Sequence, residues 1–153
     1  MKIRWPSSSI FTASPVWHQP SIRVEAVFSG SDFISLNCNQ TPDNVGFVNR
    51  DRIGMMHKKA YLINTSRGGL INESDLADAL NTERIAGAAI DVVSEEPIRP
   101  DNPLLKAKNV FVTPHVAWAT LDARKRLMQE TAANVRAFIS GKPKNVVNPA
   151  FLK

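Results

Sequence analysis

What the chain lacks narrows it first. Its 153 residues hold a single cysteine, Cys38, so no intramolecular disulfide can staple the fold. That suits a reducing compartment, and a cytoplasmic location is the expectation. No apolar run approaches the roughly 20 residues that span a bilayer. No spacing of His, Cys, Asp and Glu resembles a metal site. There is no internal repeat and no low-complexity tract, which removes solenoids and linkers. The formal net charge is +5, yet lysines and arginines are scattered and often adjoin acids, as at Glu83-Arg84 and Asp122-Ala123-Arg124. A nucleic-acid binder would need a clustered positive face and strongly salt-dependent retention, so that class recedes.

Acids are missing from one stretch. Residues 1–24 carry Lys2, Arg4 and Arg23 with no Asp or Glu, several serines, and Pro6, Pro15 and Pro20. The composition is that of a transit segment, but the prolines would interrupt an amphipathic helix. Residues 1–30 are therefore expected to be an irregular leader or a stretch foreign to the domain that opens at Ser31. Near its end, Val24, Val27 and Phe28 allow a short helix before Gly30.

The chain as a whole has an ordinary globular composition, with 43% apolar and 22% charged residues, and its 153 residues are enough for one domain with a core. Short apolar runs alternate with helical patterns, which predicts parallel α/β packing. Strands are expected at Asp32–Leu36, Tyr61–Ile63, Ile85–Ile90 and Val110–Val112. Helices are expected over residues 49–56 with Asn49 as N-cap, 73–82 capped by Asn72, and 120–139 capped by Thr120. The last should show an apolar stripe through Leu121, Met128, Thr131, Val135 and Phe138. Residues 94–106, with three prolines, read as a loop tethered by Leu104 and Leu105.

The stretch AYLINTSRGG, residues 60–69, organises the rest. An apolar strand ends abruptly in Asn64, Thr65 and Ser66, at the carboxyl edge where open α/β sheets hold ligands. Arg67 is then aimed at a crevice, or is simply a solvated loop residue. Gly68 and Gly69 supply freedom for the turn or close approach by a ligand or a neighbouring chain. Arg67, Asp91, Glu96 and His115 all fall at or just past strand ends, so a parallel sheet would gather them at one edge. A carboxylate beside a histidine fixes its tautomer and favours its charged form, which makes a proton donor. An arginine fork grips a carboxylate with two parallel hydrogen bonds. Together they suit a small 2-oxo or 2-hydroxy acid. Taken singly, each has a plainer reading: a loop histidine after Thr-Pro, a solvated acidic turn at Glu95-Glu96-Pro97, a strand end capped by Asp91. Cys38 reads as a small buried side chain rather than a nucleophile, and His18 and His57 as surface residues.

Three segments in order, LINTSRGGLINESDLADAL, AGAAIDVVSEEP and VTPHVAWAT, resemble motifs of the D-isomer-specific 2-hydroxyacid dehydrogenases. The likeness runs from about Ser31 to Pro149. Within that family Trp118 makes the chain similar to the glycerate dehydrogenase, or hydroxypyruvate reductase, group. The resemblance implies a catalytic trio of Arg67, Glu96 and His115: Arg67 holding the substrate's carboxylate and carbonyl, His115 exchanging the proton, Glu96 orienting His115. It implies hydride from NAD or NADP, with cofactor contacts at Cys38, Thr65, Ser66, Arg67, Asp91, His115 and Ala117, and a substrate contact at Trp118. Hydroxypyruvate or glyoxylate is the implied type of substrate, and a homodimer the usual assembly. The chain departs from the pattern in having no Gly-x-Gly-x-x-Gly turn and no residue to choose between NAD and NADP. Asn37 and Asn39 stand where members often have His and Pro. The expected fold is thus the second half of a Rossmann-type doubly wound parallel sheet with a C-terminal helix, truncated before the phosphate loop and substrate domain. Little or no reductase activity is expected of the chain alone. A non-catalytic dinucleotide-binding or corepressor-like relative is the alternative, which loss of Arg67, Glu96 or His115 would have favoured.

Overall fold

A computed structural model describes residues 23–149. Of the leader expected over residues 1–30, residues 1–22, with His18 among them, lie outside the described residues. The chain divides into two compact units, the first closing at His115 and the second opening at Val116.

The first unit is a four-stranded, all-parallel sheet in the order β1-β2-β3-β4, with β1 at Phe33–Leu36, β2 at Tyr61–Asn64, β3 at Gly87–Ile90 and β4 at Val110–Val112. The strands pair without offset, Leu36 opposite Asn64 and Asn64 opposite Ile90, so their carboxyl ends lie level along one edge. One helix precedes the sheet, α1 at Val24–Gly30, and two intervene between its strands, α2 at Arg50–Met55 and α3 at Glu73–Asn81. The caps expected from the sequence form. Asn49 accepts from the Arg52 N–H at 3.1 Å and Asn72 from the Asp75 N–H at 3.1 Å. Each satisfies an amide that the first helical turn leaves open, a contribution of about 1 kcal/mol.

Period-two alternation sorts the strand side chains. Ile34, Leu36, Leu62, Ala88 and Ile90 point to one face and join Phe28 of α1, Ile53 of α2, and Leu76 and Leu80 of α3 in a single core. Residues 24–30 therefore pack with the domain that the sequence reading opened at Ser31. Leu62 is completely buried, and truncating such a side chain to alanine costs about 2–5 kcal/mol. On the other face Phe33, Tyr61 and Phe111 are exposed, with Phe33 and Tyr61 stacked at 5.4 Å between ring centroids.

Three expectations need correction. The loop over residues 94–106 contains a 3₁₀ turn at Pro103–Lys106, and only Leu104 of the leucine pair tethers it, because Leu105 is half exposed. The β3 strand starts at Gly87 rather than Ile85, although Ile85 is buried. His57 is not an unsupported surface residue: its Nε2 lies 3.1 Å from Asp32 Oδ1, and its Nδ1 accepts from the Lys59 N–H at 3.3 Å.

The second unit holds α4, Leu121–Ile139, with Thr120 accepting from the Ala123 N–H as its cap. The helix has the length the sequence predicts, yet none of its residues is buried, and the apolar positions Leu121, Met128, Val135 and Phe138 are exposed. No helix among the described residues is long and apolar enough to cross a membrane.

Candidate functional site

The carboxyl edge of the sheet carries two hollows. Following β3 and β4, a cavity of about 680 Å³ is lined by Asp91, Val93, Glu96, Pro97, Thr113 and His115 among others. Following β1 and β2, a smaller polar hollow of about 240 Å³ is lined by Asn37, Cys38, Asn39, Thr65, Ser66 and Arg67. The structure brings Asp91, Glu96 and His115 together and places Arg67 in the neighbouring hollow.

In the larger cavity the polar side chains answer one another across long stretches of sequence. His115 Nδ1 and Glu96 Oε2 are 2.8 Å apart, each side chain 41% exposed. An ionised carboxylate only accepts, so Nδ1 carries the proton in this contact. Asp91, buried at the end of β3, accepts at Oδ1 from the Thr113 hydroxyl at 2.5 Å. Its carbonyl accepts from the His115 N–H at 2.8 Å, and the Thr113 carbonyl accepts from the same N–H at 3.0 Å. Those backbone bonds hold His115 in the left-handed region, with φ of 54°, which costs a non-glycine residue about 1–2 kcal/mol. A strained residue pinned beside a cavity is a frequent feature of functional sites.

The smaller hollow is built differently. Asn64, with no exposure at the end of β2, folds back on the turn that follows. Its Oδ1 accepts from the Ser66 N–H at 3.0 Å and its Nδ2 donates to the Arg67 carbonyl at 2.9 Å. The Ser66 hydroxyl donates to the Leu36 carbonyl at 2.7 Å and ties the turn to β1. The turn is fixed, while the exposed Arg67 guanidinium donates only locally, to the Ser66 carbonyl at 2.7 Å. Cys38 is a free, half-buried thiol on this rim.

The two hollows meet at Gly68. A Cβ there would lie 1.9 Å from the Val93 carbonyl carbon and 2.4 Å from the Ser94 nitrogen. Gly68 thus serves close approach rather than turn freedom, since its φ is not positive. It lets the loop bearing Arg67 pack directly on the loop bearing Glu96. On the outer side of that second loop, Arg99 grips Asp101 at 3.0 and 3.1 Å and reaches Glu95 at 3.6 Å. The Arg99 hydrogen bonds, and then its charge, hold the Asp101 carboxyl below its ordinary value, and Asp101 in turn raises the guanidinium.

Sequence reasoning placed Asn64 at the strand end without its hydrogen bonds, and missed Thr113 and the acid-amide cluster of Glu73, Ser94 and Asn102. For Thr113 a signal was present, a hydroxyl at a strand end two residues before His115. The Asn64 bonds are local, reaching two and three residues on, whereas the Glu73 cluster joins elements remote in sequence and no local spacing marks it. Ala117 and Trp118 belong to the second unit, where both are exposed.

Comparison with known proteins follows the same strands. Residues 12–117 match the model of the D-isomer specific 2-hydroxyacid dehydrogenase, NAD binding domain, family. The chain is 47% identical over 127 residues to a hydroxypyruvate reductase of Blautia hydrogenotrophica, covering 83% of this chain and 39% of that protein. It is 42% identical to a glycerate dehydrogenase of Methylorubrum extorquens, covering 82% of this chain and 41% of the relative. Among solved structures, an NADPH-dependent glyoxylate/hydroxypyruvate reductase from Sinorhizobium meliloti, in complex with NADP and malonate, superposes with a TM-score of 0.69 at 32% identity. That match covers 76% of this chain and 36% of the other. The chain therefore spans about two fifths of the length of the relatives it matches. With a parallel sheet, a site at its carboxyl edge and a family match across both, the chain belongs to the D-isomer specific 2-hydroxyacid dehydrogenase family through its NAD-binding domain.

Proposed function

We propose that this chain supplies the chemical half of a site that interconverts a small 2-oxo acid, of the hydroxypyruvate or glyoxylate type, and its 2-hydroxy acid with NAD(P)H. The observation that carries the reading is the 2.8 Å contact between His115 Nδ1 and Glu96 Oε2 on the wall of the larger cavity. Both hollows are compatible with the nicotinamide end of a dinucleotide. Asp91, His115 and Thr113 present polar groups on one side, Thr65, Ser66 and Arg67 on the other, and Cys38 lies toward the β1 end. When bound, the cofactor supplies the hydride. His115, held by Glu96, passes a proton to the carbonyl oxygen at the moment negative charge develops there. Arg67 swings from the Ser66 carbonyl to grip the carboxylate with its fork, and the family resemblance assigns Ala117 to the cofactor ring and Trp118 to the substrate. No Gly-x-Gly-x-x-Gly turn occurs in these 153 residues, so the pyrophosphate has no helix N-terminus of that kind to rest on and cofactor affinity of the chain alone is weak. A homodimer and a cytoplasmic location belong to the same proposal.

The test is a graft. Residues 31–149 replace the matching segment of the Blautia hydroxypyruvate reductase, which supplies the missing phosphate turn. The chimera is expected to oxidise NADH with hydroxypyruvate, and His115→Ala to lower kcat by roughly 10²–10⁴-fold. A folded chimera that binds NADH and turns nothing over would refute the reading and favour a non-catalytic dinucleotide-binding relative.

A further inference from the structure

Glu96 sits on an exposed loop whose neighbours Glu95 and Pro97 are exposed as well. A long carboxylate side chain in that setting loses much rotamer freedom if it is to meet His115 in one geometry. Something must fix the loop for the contact to persist, and the bonds that do so converge on a single carboxylate at the start of α3. Glu73 Oε1 accepts from the Ser94 N–H at 2.7 Å, and Glu73 Oε2 accepts from the Ser94 hydroxyl at 2.8 Å and from Asn102 Nδ2 at 2.8 Å. Ser94 and Asn102 bracket Glu96 from either side. Asn102 is buried, and its Oδ1 accepts from the Leu104 N–H at 3.0 Å, so its orientation is set and its amide group is committed to Glu73.

We propose that Glu73 is a positioning residue for the His115–Glu96 pair: one carboxylate clamps both ends of the 94–102 loop to α3 and so holds Glu96 against the imidazole. The inference rests on the function proposed above for that pair. The competing explanation is that Glu73 merely places negative charge in the first turn of α3, where the helix dipole favours it. Asp75 does the same in the same turn but bonds to the Arg50 N–H rather than to the loop. The two acids therefore separate the explanations.

The measurement is the tautomer of the His115 imidazole, read from its ¹⁵N shifts in the full chain on the alkaline plateau where those shifts no longer change with pH. Wild type is expected to be mainly Nδ1-protonated, because Glu96 accepts there, and Glu96→Ala to revert mainly to Nε2 protonation. Glu73→Ala should lose more than half of the Nδ1-protonated population. It should also speed exchange of the Ser94 amide by roughly tenfold or more, as its charged acceptor is gone. Glu73→Gln, which keeps the side chain's size but has one acceptor oxygen where the three bonds use two, should move the tautomer the same way by less, and it carries the test if Glu73→Ala does not fold. Asp75→Asn should leave the tautomer as in wild type. A wild-type tautomer in both Glu73 variants, or equal movement in Asp75→Asn, overturns the clamp while leaving the pair intact. An unchanged tautomer in Glu96→Ala would instead remove the pair on which the proposed function depends, and the clamp with it.

Discussion

The two hollows at the carboxyl edge are made from the same kind of strand end, yet they are organised in opposite ways. Around Asp91, Glu96 and His115 the functional side chains themselves are tied together, hydroxyl to carboxylate and imidazole to carboxylate, across separations of about twenty residues. Around Arg67 the backbone is tied and the side chain is left to a local carbonyl. The difference matches the tasks proposed for them. A proton donor must be oriented before its partner arrives, since misplacing it by an ångström is costly. A guanidinium that grips an anion can reorganise on binding, because its fork recovers two charge-assisted bonds when it does.

Gly68, where the hollows touch, is the sharpest place to break this contrast. Gly68→Ala puts a methyl group 1.9 Å from backbone that cannot rotate away. Overpacking of this kind costs about 1–3 kcal/mol and sometimes more, and the upper end is expected here. Chemical denaturation of the full chain would read the loss, and both the Ser66–Arg67 amides and the His115 imidazole should shift together. A variant as stable as wild type, with both regions unmoved, would mean that the contact at Val93 is not as close as described.

A smaller effect should touch one hollow alone. Asn64→Leu keeps the branching and heavy-atom count of the buried side chain but deprives the Ser66 N–H and the Arg67 carbonyl of their partners, at a cost of about 1–3 kcal/mol. The turn bearing Arg67 should lose amide protection while the His115–Glu96 signals stay in place. Equal disturbance of both would show that the two regions are one network and the contrast between them artificial.

What the sequence disclosed follows the reach of each interaction. Asn49, Asn72 and Thr120 cap their helices because capping is settled within three residues. The four strands and their parallel order follow from apolar runs alternating with helical periods, and a level carboxyl edge follows from parallel order. The meeting of Glu96 with His115 was legible for that reason. The Asp32–His57 contact was not, since it joins the amino-terminal ends of two strands whose pairing had to be known first. Nor was the Glu73 cluster, where a carboxylate that reads locally as a helix-start residue bonds to a loop twenty-one and twenty-nine positions on. The stripe on α4 shows the reverse case: periodicity fixed the helix and said nothing about whether its apolar side would be covered.

The least effect should come from the tip of the 94–102 loop, and its smallness is informative. Arg99 holds the Asp101 carboxyl below its ordinary value of 3.8, chiefly by hydrogen bonding and then by charge. A carboxyl depressed in the folded state contributes stability above its unfolded value and loses it as pH falls through the folded one. Nothing should therefore change at this pair between pH 7 and about 5, and loosening should begin only in acid below the ordinary carboxylate range. The pair is fully exposed and screened by salt, so Asp101→Asn at neutral pH should leave overall stability nearly unaltered. If Glu73 clamps both ends of the loop, freeing its tip must also leave the His115 tautomer where it was. Movement of the tautomer in Asp101→Asn comparable to that in Glu73→Ala would shift the support of Glu96 from the base of the loop to its tip.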